Sequence, residues 1–530
     1  MRWLQRNLWS GALGLLALVA VAPAAANATE RALESRGGSL PVPAGLRPQV
    51  DFWKKIFAEY AELDVVIHDR DDVSRVYNVL RLGWLLASGE TEAKIAARRR
   101  QIVTEEIESI RGALLRIHTY RNEAGKLSPK ERRIAAQFAN DRNPRRFLEA
   151  AEERRIRAQS GLRERFSHGV RVARSYLPFI ERIFTIEGIP LAVARLPLVE
   201  SNFNSEAYSR VGAAGMWQFM PATGRDYLRI DDAVDERRDP FLSTIAAAEF
   251  LKGNYERLQS WPLAITAYNH GRGGMMRAVE QLGTRDFMEI LRRYDGRTFG
   301  FASKNFYAEL IAAVEIERDA ERYFGPIPVD PPVQLDSYRL PAYVGFADLA
   351  RAAQMHSDEL AELNIALSSA VRRGELLVPR GYELRLPEGR RAAFHARFTA
   401  LPASARHARQ RTSHAWHRVR PGETLSAIAR RYGTTVARLR ADNGLGNANH
   451  IRSGQALKVG AGGGSAPAAR SATETAPAPG RFVTHSVARG QTLSMIARRY
   501  GTTVATLRRH NRIGDPDHLR AGDRIRVPVR

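Results

Sequence analysis

Glu200 stands out by its position in the chain. It closes an apolar run from Ile189 to Val199 that is broken by Arg195, and Ser201-Asn202-Phe203-Asn204 follows at once. A carboxyl delivered at the end of such a run loses hydration, which raises its pKa and lets it hold and donate a proton near neutral pH. Taken alone, a helix-end carboxylate is more often the partner of a nearby base, here Arg195 or Arg210. The next residues shift that balance. Ser209 lies nine positions on, Gln218 lies nine further within Gly215-Met216-Trp217-Gln218-Phe219-Met220-Pro221, and Ala267-Tyr268-Asn269 follows the apolar stretch Trp261 to Thr266. Amides that fix acetamido and hydroxyl groups, beside rings that stack on pyranose faces, suit a sugar cleft. Core packing is an equal reading for Met216, Trp217 and Phe219. Asp239-Pro240 reads as a helix N-cap followed by Pro at the first helical position, hence structural. Asp231, Asp232 and Asp235 read the same way, although one of them could reach the cleft.

The elements around this chemistry follow from periodicity. Phe52, Trp53, Ile56, Phe57 and Tyr60 form one stripe, and residues 29–174 are expected to be a helical N-terminal region without a catalytic constellation. Near the C-terminus two segments, Trp416 to Gly460 and Thr484 to Pro528, match without a gap: His417 recurs as His485 and Arg430 to Val436 as Arg498 to Val504. Each reads as strand, helix, helix, strand. Thr424 falls at an N-cap after the turn Pro421-Gly422-Glu423, Leu425, Ile428 and Ala429 share a helix face, and Thr434-Thr435 caps the second helix. A small module used twice on a larger chain implies multivalent attachment to a repetitive ligand. A third stretch, 335–388, keeps part of the pattern: Phe346, Leu349, Ala350, Leu360 and Asn364 match Leu425, Ile428, Ala429, Leu439 and Asn443, without the Gly-x-Thr-Leu turn. Residues 389–415, basic and containing His, and 461–480, rich in Gly, Ala, Ser and Pro, are expected to be linkers.

Arg2 and Arg6, the apolar stretch Leu8 to Val21 and Ala26-Asn27-Ala28 predict a secretory signal over 1–28. The 530-residue chain has no cysteine, so disulfides and an N-terminal lipidated Cys are excluded. A formal net charge of +24 suits nucleic acid, a membrane surface or an anionic wall polymer. Export argues against nucleic acid, and no phosphate loop, zinc-ligand spacing or RNA-binding motif is present. Many of the arginines read as solvated helix faces.

The repeated module resembles the LysM domain, which binds the N-acetylglucosamine-containing chains of peptidoglycan and chitin. In that family the glycan lies between the first strand–helix turn and the loop before the last strand. The resemblance implicates Gly422, Thr424, Leu425 and Ile451, and Gly490, Thr492, Leu493 and Leu519; for the leucines, filling a small core is at least an equal reading. Glu200-Ser201, Gly215-Met216-Trp217-Gln218, Ala267-Tyr268-Asn269 and the helix Asn305-Phe306-Tyr307-Ala-Glu-Leu310 resemble the catalytic domain of lytic murein transglycosylases, a lysozyme-like fold, expected over 175–325. The usual Gly-Leu-Met-Gln is here Gly-Met-Trp-Gln. The expected architecture is mainly α, with a lysozyme-like catalytic domain, an α-helical N-terminal region, a degenerate LysM-like module over 335–388 and small α+β (βααβ) LysM modules over 416–460 and 481–530.

The resemblance implies that Glu200 serves first as acid and then as base on peptidoglycan strands, with no cofactor or metal, while the muramoyl 6-hydroxyl closes onto C1 to give a 1,6-anhydro sugar. It further implies that Ser209 and Gln218 bind the muramoyl sugar, that Tyr268 and Asn269 line the cleft, and that Tyr307 hydrogen-bonds Glu200 or the sugar. A hydrolytic muramidase, with Glu206 or Asp235 activating water, and an inert wall-binding scaffold are the alternatives. The expected location is the periplasm, in association with the cell wall.

Overall fold

The computed structural model describes residues 40–328, 330–410, 414–420, 422–432, 434–445, 451–452, 454–460, 482–487, 507, 511 and 523–528. The expected signal, the linker 461–480 and the sites at Gly490, Thr492, Leu493 and Leu519 lie outside them. The chain forms two compact units, 1–412 and 413–530, each treated by itself.

In the first unit, α1 (Arg47–Ala58) opens with a proline in its first turn and buries Phe52, Trp53, Ile56 and Phe57, the stripe visible in the sequence. A sheet of order β2-β1-β3 follows, built from β1 (Val65–Asp69), β2 (Val76–Leu80) and β3 (Ile156–Ser160), all antiparallel. The long α2 (Glu92–Thr119) packs on β3 and contributes Ile110, Leu114 and Ile117 to a core shared with Val65 and Ile67. The region before residue 175 is therefore not purely helical. Runs as short as Val65-Val66-Ile67 do not distinguish strand from helix by periodicity.

Nor is that region separate from the chemistry. One core joins α1 to α3 (Arg163–Glu187), α4 (Leu196–Glu200), α5 (Pro240–Leu258), α6 (Trp261–His270) and α7 (Phe301–Arg318). The helix α3 buries Phe166, Val170, Ala173, Leu177, Ile180 and Phe184 at spacings of three and four, then stops at Gly188 in the left-handed conformation. Trp53 on α1 donates to Asn305 Oδ1 on α7 at 3.1 Å, and Arg47 and Lys54 pair with Glu315. The first helix is thus a wall of the catalytic body.

Residues 335–387 fold as β4 (Leu335–Arg339), β5 (Tyr343–Val344), α8 (Phe346–Ala353), α9 (Ser357–Leu363) and β6 (Glu383–Pro387), with β4 antiparallel to β6. The segment expected to be a linker from 389 is largely built onto this module. The helix α10 (Arg391–Thr399) buries Phe394 and Phe398 in its core, β7 (Arg406–His407) pairs with β5, and the Gln410 side chain bonds both the N–H and the carbonyl of Leu377.

In the second unit, β8 (His414–Arg418), α11 (Leu425–Arg431), α12 (Val436–Asn443) and β9 (Ala456–Gly460) make one βααβ frame, with β8 antiparallel to β9. Thr424 and Thr435 cap the two helices by accepting from Ala427 N and Arg438 N. Of the last repeat, the described strands β10 (Phe482–Ser486) and β11 (Arg524–Pro528) pair antiparallel.

Candidate functional site

Glu200 ends the one-and-a-half-turn helix α4, which Pro197 helps to start. The chain then turns sharply. Asn202 and Phe203 take φ values of 53° and 59°, and the N–H groups of Ser201 and Phe203 both return to Pro197 O. Left-handed backbone at non-glycine residues costs about 1–3 kcal/mol each, so the surrounding structure must enforce this turn. Gly169 on α3 makes room for it: a Cβ there would lie 2.9 Å from Asn202 Cβ.

Among the described residues the Glu200 carboxyl has no counter-ion. Arg195, the base expected as its partner, instead pairs with Glu181 and with Glu317 at 2.9 Å, and Arg210 is exposed. Burial, seconded by the charge of Glu309 on the adjacent helix α7, pushes Glu200 up to about 8. Burial likewise pushes Glu309 up to about 8. The result is a desolvated, half-buried carboxyl that keeps its proton at neutral pH.

The motifs around Glu200 interlock through the backbone of residues 215–218. Ser201 Oγ donates to Met216 O and Tyr268 Oη donates to Trp217 O, each at 2.8 Å. Trp217 itself is core: it is fully buried, with Nε1 on Thr244 Oγ1 at 2.9 Å. Met216 and Phe219 are buried too, so packing is the outcome for all three. Gly215, at φ 77°, could not be replaced, because a Cβ would stand 1.8 Å from Arg237 O. Gln218 sits at φ 48°, with Nε2 donating to Gly215 O at 2.8 Å. Ser209 closes a turn, accepting from Ala213 N at 2.8 Å.

Tyr268 is half-buried against Phe219 and Phe250, and burial, with the Glu200 charge behind it, holds its phenol well above the usual value. Asn269 is exposed, and Ser303 Oγ on α7 fixes its Oδ1 at 2.8 Å, which sets the direction of its amide. Tyr307 does not reach Glu200. It is fully buried, its hydroxyl donates to Pro41 O at 2.7 Å, and its ring packs edge-on to Phe287. Glu309, two residues further along the same helix, faces the Glu200 side instead, because two helical residues are about 200° apart. Asp239 caps α5 by accepting from Phe241 N and Leu242 N, the structural role read from its sequence.

In the βααβ frame of the second unit, Gly422 occupies an exposed turn at φ 80° beside Thr424. Leu425 is 2% exposed and fills the small core, so it is not offered to a ligand, and Ile451 packs half-buried against that core.

Comparisons with known proteins give the chain's similarities. Residues 186–291 match the transglycosylase SLT domain, and 417–460 and 485–528 match the LysM domain. Membrane-bound lytic murein transglycosylase D of Escherichia coli strain K12 is 28% identical over 375 residues, 68% of this chain and 77% of that protein. N-acetylmuramoyl-L-alanine amidase sle1 of Staphylococcus saprophyticus is 44% identical over 85 residues, 16% of this chain and 25% of that protein. Among solved structures, an inactive mutant of the lytic transglycosylase Slt from Pseudomonas aeruginosa superimposes with a TM-score of 0.25 at 17% identity, covering 42% of this chain and 38% of that one. The chain thus carries a transglycosylase SLT domain around Glu200 and two LysM peptidoglycan-binding modules, the domain content of a lytic transglycosylase.

Proposed function

We propose that Glu200 cleaves the bond between N-acetylmuramic acid and N-acetylglucosamine without water, leaving 1,6-anhydro-muramoyl ends. The observation that carries this reading is the desolvated Glu200 carboxyl, pushed up to about 8 and so protonated at neutral pH, with no counter-ion among the described residues. Protonated Glu200 gives its proton to the glycosidic oxygen as the C1–O bond breaks. The resulting carboxylate then takes the proton of the muramoyl 6-hydroxyl while that oxygen bonds to C1, which restores the acid. The nucleophile is tethered to the electrophile and has a high effective molarity. Asn269, aimed by Ser303, and Gln218 supply amides for the sugar, while Ser201 and Tyr268 hold the loop that presents Gln218. Gly422 and Thr424 offer an open turn to glycan, which would bring the enzyme to the wall in the periplasm.

A second reading, hydrolysis by a water-activating carboxylate, would need an ionised base beside Glu200, whereas burial pushes Glu309 up to about 8 and so keeps it protonated at neutral pH, Glu206 is exposed, and Asp235 is paired with Arg237. Mass spectrometry of the muropeptides released from purified peptidoglycan separates the two. Anhydromuramoyl ends that disappear in Glu200→Gln support the proposal, and reducing muramic acid ends overturn it in favour of hydrolysis.

A further inference from the structure

The loop that presents Gln218 is held by Arg237 as well as by Ser201 and Tyr268. Arg237 is 1% exposed, and its guanidinium donates to Gly212 O at 2.7 Å and Phe219 O at 2.9 Å, straddling the segment that includes Gly215 and Gln218. Asp235 neutralises it through two oxygens at 2.8 and 2.7 Å, and Tyr208 covers it with its ring. The backbone of the same residue occupies the space beside Gly215. A buried guanidinium is tolerated only when its donors are satisfied, and here two of the acceptors are carbonyls of the active-site loop.

The residues flanking Arg237 belong to the module at 335–410. Val234 bridges to Leu367, Asp235 N donates to Ala366 O at 2.8 Å, and Ser368 N donates to Ala233 O at 2.9 Å. Ala233 and Val234 are buried in that module's own core. Arg385 of β6 pairs with Asp239 at 3.3 Å. Segment 233–239 is therefore gripped by the module on one side and grips the catalytic loop on the other.

We infer that the module at 335–410 is a positioning element of the active site, with Arg237 as the positioning residue through which it sets the loop carrying Gln218. This rests on the reading that Glu200 and Gln218 act on the glycan. The module has the strand-helix-helix-strand order of the frame at 417–460, but here it works as the rear support of the catalytic loop.

Steady-state turnover of soluble uncrosslinked glycan strands by the full chain tests this, with the thermal midpoint recorded for each variant. Arg237→Lys, which keeps the charge but loses the fork, should lower kcat on the order of 10²-fold with KM little changed. Val234→Ala, which touches the module core and no part of the site, should lower kcat about fivefold below its own midpoint temperature. The inference is overturned if both folded variants keep the parent kcat, or if the losses fall on KM alone. Should Arg237→Lys fail to fold, Val234→Ala decides by itself. Glu200→Gln in the same assay isolates the underlying reading: if that variant turns over normally, the assignment of Glu200 fails whatever the other two do.

Discussion

Two βααβ frames in this chain use the same internal joint and have opposite surroundings. In the module at 335–410, Asn364 Nδ2 donates to Leu360 O and Arg385 O while its Oδ1 accepts from Arg385 N. In the frame at 417–460, Asn443 does the same with Leu439 O, Lys458 O and Lys458 N, and Asn511 repeats it with Leu507 O, Arg526 O and Arg526 N. The difference lies in the turn after the first strand. Where one frame has an exposed Gly422 and the cap Thr424, the other has Tyr343-Val344 as strand β5, hydrogen-bonded to β7 on one side and to Val378 on the other. Replacing a left-handed glycine turn with strand residues changes an open turn into a closed edge. A frame of this kind can thus be a handle or a brick, and a few residues at one turn decide which.

The shared asparagine gives the sharpest way to break that comparison. Asn364 is 1% exposed and its side chain makes four hydrogen bonds, the fourth accepted from the Tyr382 hydroxyl, so Asn364→Ala should cost the first unit about 2–4 kcal/mol and lower turnover of soluble glycan. Asn443→Ala should unfold its own small frame and weaken wall binding while leaving that turnover unchanged. Unfolding curves read beside soluble-substrate kinetics and wall pull-down check both, and equal effects on turnover would erase the distinction.

Carboxylates in the two units should respond to pH with opposite sign. Glu200 has its folded pKa raised to about 8 by burial, so its contribution favours folding below the usual carboxylate range near 4.5 and is lost as pH rises through 8. Glu200→Gln should therefore be more stable than the parent by on the order of a few kcal/mol at pH 9 and nearly equal to it at pH 4. Turnover by the parent should fall through the same alkaline range. Glu423, in the glycan-binding frame, is lowered by the Arg420 N–H and then by His417, so its contribution is present above 4.5 and lost as pH falls. Acid should loosen that frame and alkali the catalytic unit, a contrast that unfolding curves at pH 4 and 9 would show.

Local signals carried much of this into the sequence. The apolar delivery of Glu200, the Asp239-Pro240 cap and the Thr424 and Thr435 caps are all matters of a few adjacent residues. What escaped depends on contacts far along the chain. Glu309 has no distinguishing neighbours, and its desolvation comes from the packing of α4 against α7, while Tyr307 beside it is drawn to Pro41, a segment 266 residues away. Arg237 has only a charged turn around it in the sequence, and its role comes from the distant carbonyls of Gly212 and Phe219. The supposed linker from 389 did carry a signal, since Phe394 and Phe398 stand four apart on one helix face, but its basic composition outweighed them.

The turn itself offers the smaller tests. Gly422→Ala meets nothing within 4 Å of the new Cβ, so its cost is the backbone at φ 80°, about 1–2 kcal/mol, felt in the stability and wall affinity of that frame alone. Smaller again is Thr424→Ala, which removes one N-cap hydrogen bond to Ala427 and should cost about 1 kcal/mol. The corresponding position in the closed module is Gly345, which begins α8 with no side-chain cap, so that frame already does without the bond. Its helix start is held instead by Tyr343 and Val344 within the sheet edge. Thr424→Ala should consequently lower the melting of the open frame measurably, whereas Gly345→Ala, at an ordinary φ of −64°, should change the first unit by less. If the two substitutions had equal effects on their frames, the cap would not be what steadies the open turn, and the contrast between handle and brick would have to rest on β5 alone.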